Sequence, residues 1–320
     1  MNLIRDLADL PARARSGALA IGNFDGVHRG HAQIVERLVA QARQLGGPAV
    51  VFTFEPHPAR LLRPEAAPAP LLWIERKAAL LSALGVDWTI VYPTDLALLR
   101  LSAEEFFEEI VCRRLAAQAM VEGTNFYFGR DRRGTIERLA ELTAERGMTL
   151  EVVPPVEIDG LPVSSSRIRQ ALDGGRVEEA ADLLGRLYRL RGTITRGARR
   201  GRPLGFPTAN LTQVDTLLPS PGVYAGYGWL AGRGYRAAIH LGANPTFGEA
   251  QQKVEVHLLD LDGAGDLYGE SLEVDFARRL RDTCKFANVD ALSTQLRRDV
   301  AAAGELPAAA AVLPLPGSNE

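Results

Sequence analysis

Cysteine and histidine are scarce in this chain. Its 320 residues include two cysteines, Cys112 and Cys284, and five histidines. The cysteines lie far apart, without the CxxC spacing of a zinc or redox site and without the pattern of a small secreted disulfide protein. The sequence therefore argues against a disulfide-stabilised scaffold, and we expect the protein to work in a reducing compartment.

An excess of charge of one sign and long apolar runs are also missing. The formal net charge is −2, so no overall positive field favours nucleic acid. No run approaches the roughly 18 apolar residues of a membrane span. Charged residues interrupt the N-terminal segment, where a signal peptide would need an apolar core. We expect a cytoplasmic protein without nucleic-acid or membrane partners, and a homo-oligomer is left open.

The residues that are present indicate a globular protein of two domains. Hydrophobic residues make up 46% of the chain and charged residues 24%, a composition typical of a packed protein. A length of 320 residues exceeds that of one typical domain. The pattern of apolar residues changes near residue 185, which predicts domains at residues 1–185 and 186–320.

The first domain is predicted to have an α/β fold of the Rossmann-like type. Apolar strand-like runs alternate with helix-like stretches, as expected for a parallel sheet whose strands are connected by helices. The predicted strands are 18–21, 49–54, 88–92, 119–121 and 150–153, and the main predicted helices are 31–45, 74–84 and 103–117.

The second domain is predicted to be a small antiparallel β-barrel with a late helix. Its short β-like runs are separated by Gly- and Pro-rich turns. The predicted strands are 188–195, 222–230, 236–241, 253–259 and 271–276, and the predicted late helix is 289–302. The Ala/Pro-rich tail, 301–320, predicts a loosely packed terminus.

The loop from Gly22 to His31 follows the first apolar run and leads into a helix-like segment. Glycines allow a backbone to approach a ligand closely, and a helix N-terminus attracts anions. His28 and His31 are three residues apart, so both imidazoles are predicted to lie on one face of the first helical turn and to donate to phosphate. Two histidines with no cysteine nearby are too few ligands for a zinc site. The loop is therefore predicted to bind phosphate.

Three further loops of the first domain carry candidate ligand contacts. His57 stands between two prolines where a strand ends, a place where parallel sheets bind ligands, although a surface turn explains the same pattern. Phe126 and Phe128 alternate in a loop with three arginines and suit a flat ring and phosphate; a solvated basic loop is the alternative. Ser164–Ser166 and the arginines after them offer hydroxyl and cationic donors, although an N-cap explains one serine.

In the second domain, residues 197–210 contain glycines interspersed with arginines. Such a flexible, positively charged segment is suited to bind a polyphosphate. Thr208 and Asn210 alternate onto one face of an extended segment, and their oxygens suit Mg²⁺. A nucleic-acid patch lacks the interleaved aromatics expected of it. Glu255 alternates with valines in a strand: facing inward it is a candidate base, and facing outward a solvated surface residue.

These residues resemble the bifunctional prokaryotic riboflavin kinase/FAD synthetase family. The matching motifs cover about residues 19 to 300 in the family's order, and their combination is specific, although each fragment alone is weak. In the first domain they are Gly22-x-Phe24-Asp25-Gly26-x-His28-x-Gly30-His31, Phe54-x-Pro56-His57-Pro58, Asn125-Phe126-x-Phe128-Gly129 and Ser164-Ser165-x-Arg167-x-Arg169. In the second they are 205–210, Pro221-Gly222-Val223-Tyr224, Gly242-x-Asn244-Pro245-Thr246-Phe247, Asp266-Leu267-Tyr268-Gly269 and Arg281-x-x-x-Lys285-Phe286. Asn125 stands where many members have Asp, and Ser166 where many have Thr.

The resemblance implies that the barrel phosphorylates riboflavin with ATP to FMN and that the first domain transfers AMP from ATP to FMN, giving FAD and pyrophosphate. By the same resemblance the catalytic residues are His28, His31 and Glu255, and Mg²⁺ is held by Thr208 and Asn210. The implied ATP-binding residues are Gly22, Phe24, Asp25, Gly26, Gly30, Ser164, Ser165, Arg167, Gly201, Thr208 and Asn210. The implied flavin-binding residues are His57, Asn125, Phe126, Phe128 and Arg281. The alternative is a nucleotidyltransferase with another phosphorylated acceptor, which leaves the second domain unexplained.

Overall fold

The computed structural model describes residues 2–197, 205–243, 253–261 and 267–309. By the density of their internal contacts, these residues form two compact units. The first unit contains residues 2–69 and 74–164, and the second contains residues 70–73 and the described residues from 165 onward.

The first unit is a parallel sheet of six strands connected by helices, which confirms the predicted Rossmann-like α/β fold. Its sheet strands are β1 (Asn2–Ile4), β2 (Ala18–Ile21), β3 (Ala49–Glu55), β4 (Trp88–Pro93), β5 (Ala119–Gly123) and β6 (Thr149–Val153). Its α-helices are α1 (Arg29–Leu45), α2 (Pro58–Leu62), α3 (Ile74–Ala83), α4 (Leu96–Arg100), α5 (Ala103–Phe106) and α6 (Ile136–Glu145). A small hairpin, β7 (Glu157–Ile158) with β8 (Leu161–Pro162), follows the sheet.

The central strands are buried on both faces, as their continuous apolar runs predict for a sheet covered by helices. All four residues of β2 are buried, and so are the first five residues of β3. The core on one side of the sheet includes Leu19, Phe52 and Met120, each at most 1% exposed. This packing fixes where the strands end, and the loops that follow them are the places where ligands can be bound.

The strand order places a crevice beside β2. The order is β1-β4-β3-β2-β5-β6, so the connections run to one side of β2 and then to the other. Parallel sheets bind ligands where the order reverses in this way, at the carboxyl ends of the two strands concerned. The paired register of β2 and β5 ends at Leu19 and Met120. Two residues further along β2, the N–H of Ile21 donates to the Glu122 carboxyl at 2.8 Å. At this position a side chain of β5, and not its backbone, accepts the hydrogen bond from β2.

The segment predicted as one helix at 103–117 differs in its second half. It is α-helical at α5 and continues as a π-helix over Phe107–Arg114. Phe106 and Val111 are five residues apart, as are Ile110 and Leu115, and all four are at most 5% exposed. A π-helix bonds each residue to the fifth before it, so the wider turn keeps both pairs towards the core.

In the second unit, the six described barrel strands close an antiparallel barrel, with order β10-β13-β12-β11-β14-β9. The strands are β9 (Tyr188–Thr195), β10 (Ala209–Thr212), β11 (Gly222–Leu230), β12 (Arg233–Gly242), β13 (Lys253–Leu258) and β14 (Ser271–Arg281). The helices are α7 (Ser165–Asp173), α8 (Val177–Leu184) and α9 (Val289–Gly304). The predicted barrel and late helix are confirmed.

Helices α7 and α8 pack on the barrel. The N–H of Ser220 donates to the Leu172 carbonyl at 2.9 Å, and the N–H of Arg279 donates to the Glu178 carboxylate at 3.0 Å. By packing, therefore, the second unit begins at Ser165, apart from residues 70–73. A division of the two activities at residue 185 stays a prediction.

Candidate active sites

The loop from Gly22 to His31 joins β2 to α1 at the crevice. His28 is the N-cap of α1, and its Nδ1 accepts the backbone N–H of His31 at 3.3 Å. The two imidazoles are stacked, with ring centroids 3.6 Å apart and planes 16° apart. They therefore lie together at the helix start, as their spacing predicts. Because Nδ1 of His28 accepts, a neutral ring carries its proton on Nε2, which is then a donor.

The backbone of this loop is held in an unfavourable conformation. Phe24 has a φ of 43° and Val27 a φ of 39°, in the left-handed region that non-glycine residues adopt at a cost. Gly26 has a φ of 90°, in the region where a residue with a side chain would be strained. Phe24 is 3% exposed, Val27 is fully buried, and the Phe24 ring lies 5.1 Å from that of His31. The bent backbone thus places an aromatic ring against the histidine pair.

The Asn23 side chain presents an unsatisfied acceptor in the loop. Its Oδ1 is buried and has no hydrogen-bond partner among the residues that the structure describes. Buried polar atoms are normally paired. The atom suits a donor on a bound molecule, which fits a nucleotide-binding loop.

A buried lysine lies behind the loop. Lys77 of α3 is 5% exposed, and its Nζ donates to the Asn23 carbonyl at 2.7 Å and to Thr53 Oγ1 at 3.4 Å. Burial lowers the pKa of Lys77, and the nearby carboxylates of Asp25 and Glu55 act in the opposite direction. Sequence reasoning missed this residue. The spacing of Lys77 in the sequence could have revealed it, because a helix over this segment places the lysine on the same face as the buried apolar residues of α3.

A buried carboxyl group supports the same crevice. Glu122 is 2% exposed, and burial raises its pKa well above the usual value, while the hydrogen bond from Ile21 acts in the opposite direction. Sequence reasoning missed Glu122 as well, since a single acidic residue at a strand end is ordinarily solvated.

The other predicted contacts of the first unit are placed as follows. His57 caps α2, and its Nδ1 accepts the Ala59 N–H at 3.1 Å. Asn125 is exposed and Phe126 is half-buried, whereas Phe128 is 7% exposed and belongs to the core. The Phe126 and Phe128 rings stack with centroids 5.4 Å apart. The Phe128 ring therefore supports Phe126 from beneath, and their flavin-binding roles stay a prediction.

The predicted serine and arginine contacts straddle the border between the units. Ser164 is the last residue of the first unit, and Ser165 begins α7 in the second. Both are half-buried, and Arg167 Nε lies 3.6 Å from a carboxylate oxygen of Glu179. Their assignment to the nucleotide stays a prediction.

In the second unit, three polar residues form a row across neighbouring strands. Asn210 of β10 pairs with Glu255 of β13, which pairs with His240 of β12. Glu255 lies on the face opposite Val254 and Val256, which are buried in the barrel. It therefore faces outward, but its side chain is 21% exposed and is not fully solvated.

His240 is the member of this row that sequence reasoning missed. Its Nδ1 lies 3.5 Å from Glu255 Oε2, and its side chain is 22% exposed. The pairing of β12 with β13 brings the two together across many residues of chain, so no local pattern indicates the contact. The arrangement places a cation-capable ring beside the candidate base.

The candidate metal ligands adjoin this row. Thr208 is exposed and immediately precedes β10, and Asn210 lies two residues further along, so both are predicted by strand alternation to share a face with Glu255. A Cβ on Gly197 would lie 2.2 Å from Asn210 Nδ2, so the amide of Asn210 lies close against the Gly197 backbone. Hydroxyl and amide oxygens are donors that suit Mg²⁺. Gly201, and the motif positions at 244–247 and 266, lie outside the described residues.

Arg281, predicted to contact flavin, makes an ion pair with α9. Its Nη2 lies 2.7 Å from Asp299 Oδ2, and Asp299 has 5% of its side chain exposed. Gln295 donates to the same carboxylate at 2.9 Å. The ion pair attaches α9 to the end of β14, so Arg281 has a structural role. The contact of Arg281 with flavin stays a prediction.

A glycine-containing loop at the carboxyl ends of a parallel sheet, and a row of amide and carboxylate side chains on a small barrel, are features expected of an enzyme of phosphate-transfer chemistry. Its family follows from comparison with known proteins. The FAD synthetase family model matches residues 10–167, and the riboflavin kinase family model matches residues 184–306. A bifunctional riboflavin kinase/FMN adenylyltransferase of Pseudomonas fluorescens is 40% identical over 97% of this chain and 99% of its own length. The chain belongs to the bifunctional riboflavin kinase/FMN adenylyltransferase family.

Two further comparisons cover nearly the whole chain. The protein of the same description from Escherichia coli strain K12 is 34% identical over 95% of this chain and 97% of its own. A crystal structure described as a macrolide-efflux protein from Streptococcus pneumoniae is 32% identical, with a TM-score of 0.84 over 95% of this chain and 99% of that one. Among the described residues of this chain, no helix is long and apolar enough to span a membrane.

Proposed function

We propose that this protein makes FAD from riboflavin in two ATP-dependent steps. The barrel unit phosphorylates riboflavin to FMN, and the α/β unit transfers AMP from ATP to FMN, releasing pyrophosphate. One observation carries the proposal: the two family models match in order, each over a part of the chain with the corresponding fold.

The adenylyl transfer needs positioning and charge stabilisation rather than a base. The second pKa of a phosphate monoester is about 6, so the FMN phosphate is largely ionised near neutral pH and is ready to attack the α-phosphorus of ATP. The bond to pyrophosphate then breaks, and negative charge develops on the leaving group. His28 and His31, at the N-terminus of α1, are the proposed donors to these oxygens.

The kinase step needs a base because a ribityl hydroxyl is a weak acid. Glu255 is proposed to take the hydroxyl proton as the oxygen attacks the γ-phosphorus, and ADP leaves. His240 Nδ1 on the neighbouring strand lies 3.5 Å from this carboxylate. Thr208 and Asn210 are the proposed holders of Mg²⁺, which neutralises charge on the phosphates when bound.

Further parts of this proposal concern the setting of the two reactions. The substrates are small molecules, the metal is Mg²⁺ and the compartment is the cytoplasm. The net charge of −2 argues against a nucleic-acid partner. The two activities are proposed to divide near residue 185, and size-exclusion chromatography would determine whether the protein forms a homo-oligomer.

The deciding experiment incubates the purified chain with riboflavin, ATP and Mg²⁺ and separates the flavins by chromatography. FMN should appear first and FAD after it, with one pyrophosphate released for each FAD. A reaction that stops at FMN, also when FMN is supplied directly, would favour another phosphorylated acceptor for the α/β unit. No FMN at all would overturn the assignment of the barrel.

A further inference from the structure

We propose that Lys77 is a positioning residue for adenylyl transfer, because it anchors the strained loop that carries His28 and His31. This inference rests on the proposed function of the α/β unit. It concerns a residue that touches the loop backbone and acts through the histidines.

The strained backbone of the loop needs an anchor. Phe24 and Val27 both have positive φ values, and such conformations persist only where surrounding contacts enforce them. Within the loop, the Val27 N–H donates to the Phe24 carbonyl at 3.2 Å. A tether from outside the loop is therefore expected close to Phe24.

Lys77 supplies that tether at the adjacent peptide group. Its ammonium donates to the Asn23 carbonyl at 2.7 Å, and Thr53 Oγ1 donates to the same oxygen at 3.1 Å. Hydrogen bonds from charged donors are the stronger kind, and this one is partly buried. The carbonyl belongs to the peptide group that joins Asn23 to Phe24, so the tether holds the point at which the chain turns into the left-handed region.

Aromatic contacts connect this point to the histidines. The Phe24 ring lies 5.1 Å from that of His31, which stacks on His28 at 3.6 Å. A shift of the Asn23–Phe24 peptide would displace the Phe24 ring and, with it, the support of His31. A misplacement of about 1 Å at a reacting group can cost about a hundredfold in rate.

A lysine suits this position for chemical reasons. The chain uses arginine for nearly all of its cations, and its lysines are Lys77, Lys253 and Lys285. An ammonium is a compact charge that can bond two acceptors in a small space, whereas a planar guanidinium needs a wider one. Two carboxylates face Lys77: Asp25 on the loop, which is 7% exposed, and Glu55 at the end of β3. The lysine thus also balances a buried acid of the loop.

The test uses the full chain and measures FMN adenylylation and riboflavin phosphorylation separately. In Lys77→Met, which keeps the length and loses the donor, kcat for adenylylation should fall about a hundredfold, with a smaller change in the KM for ATP. Riboflavin phosphorylation should be unchanged. The matched control is Thr143→Val, which removes a buried hydroxyl of α6 that donates to the Leu139 carbonyl at 2.8 Å and should keep adenylylation near wild type.

The pH profile provides a readout that simple packing would not move. The adenylylation rate of the wild type should decline at alkaline pH as the Lys77 ammonium loses its proton. Because burial lowers the pKa of Lys77, the decline should come at a pH below the pKa of an ordinary lysine. Glu55→Gln, at an exposed residue, removes a charge that favours the ammonium and should move this decline to lower pH. The kinase profile should not shift.

Three results would overturn the inference. The first is a folded Lys77→Met variant whose adenylylation kcat stays near that of the wild type. The second is an equal loss in Thr143→Val, which would assign the effect to packing of the unit. The third is an alkaline decline that occurs at the same pH in Glu55→Gln as in the wild type. If Lys77→Met does not fold, the Glu55→Gln result alone tests the inference. Wild-type chain that makes FMN but no FAD would refute the proposed function instead.

Discussion

The two units use the same co-substrate, ATP, but their candidate sites are built differently. In the α/β unit the site is a loop in a crevice between strands, and its shape depends on an unfavourable backbone held by buried polar groups. In the barrel the site is a row of side chains on adjacent strands, fixed by the hydrogen-bonded ladder itself. The candidate site of the α/β unit therefore depends on residues behind the loop, whereas that of the barrel depends on the side chains of the row itself.

The barrel site should therefore show the largest effect of a single substitution. Glu255→Gln keeps the size of the side chain and removes the proposed base, so kcat for riboflavin phosphorylation should fall about a thousandfold, within the range usual for general bases. FAD formation from supplied FMN should be retained. Glu305→Gln, at an exposed residue that pairs with Arg278, is the matched control. A kinase rate near wild type in Glu255→Gln would show that Glu255 is not the base.

The histidine pair of the α/β unit should show the reciprocal result. His28→Ala removes a proposed donor and the N-cap of α1, so FAD formation should fall about a hundredfold to a thousandfold. Riboflavin phosphorylation in the same chain serves as the internal control and should persist. Loss of both activities together would contradict the assignment of separate sites.

The attachment of α9 to the barrel should matter for stability more than for chemistry. Asp299→Asn leaves Arg281 without its carboxylate partner. Because the pair is largely buried but the arginine is partly exposed, we expect the free energy of unfolding to fall by about 2 kcal/mol. Urea unfolding followed by tryptophan fluorescence would measure the loss. FAD formation from FMN should be unaffected; a midpoint equal to that of the wild type would argue against the pair as a structural link.

The last expected effect concerns the pH dependence of stability in the α/β unit. Burial raises the pKa of Glu122 above its usual 4.5, so the stability that depends on its proton is fully present below about pH 4.5 and is lost as the pH rises towards and through the folded-state pKa. The glutamine in Glu122→Gln cannot ionise, so the free energy of unfolding of this variant should change less with pH over this range. The difference from the wild type should be about 1.4 kcal/mol for each unit by which the folded-state pKa exceeds the unfolded-state pKa. Thermal unfolding between pH 4.5 and 8 would measure it, and parallel profiles for both chains would contradict the assignment.

Much of the fold could be predicted from local pattern. The apolar runs that became β3 and β4 are continuous because both faces are covered, and the barrel strands alternate because only one face is. The π-helix at Phe107–Arg114 was not predicted, since its five-residue spacing is hard to tell from an α-helical one over two turns. Strand β1 has three residues, too few to show any period.

The sites were predictable where chemistry is local in sequence, and less so where it depends on pairing. The stacked His28 and His31 follow from a spacing of three residues. Whether Glu255 faces inward or outward depends on how β13 pairs with its neighbours, and its contact with His240 depends on the same register. The Phe128 ring packs in the core because of neighbours such as Phe106, which lies far from it in the chain.

The polar row on the barrel limits how this unit can vary. Asn210, Glu255 and His240 meet because three strands pair in one register, and successive residues of a strand point to opposite faces. One residue inserted or deleted within β13 would turn the carboxylate into the barrel core and bring a valine to the surface. A change of length within β13 would therefore disrupt this row, and length variation in this unit is expected in the connecting loops.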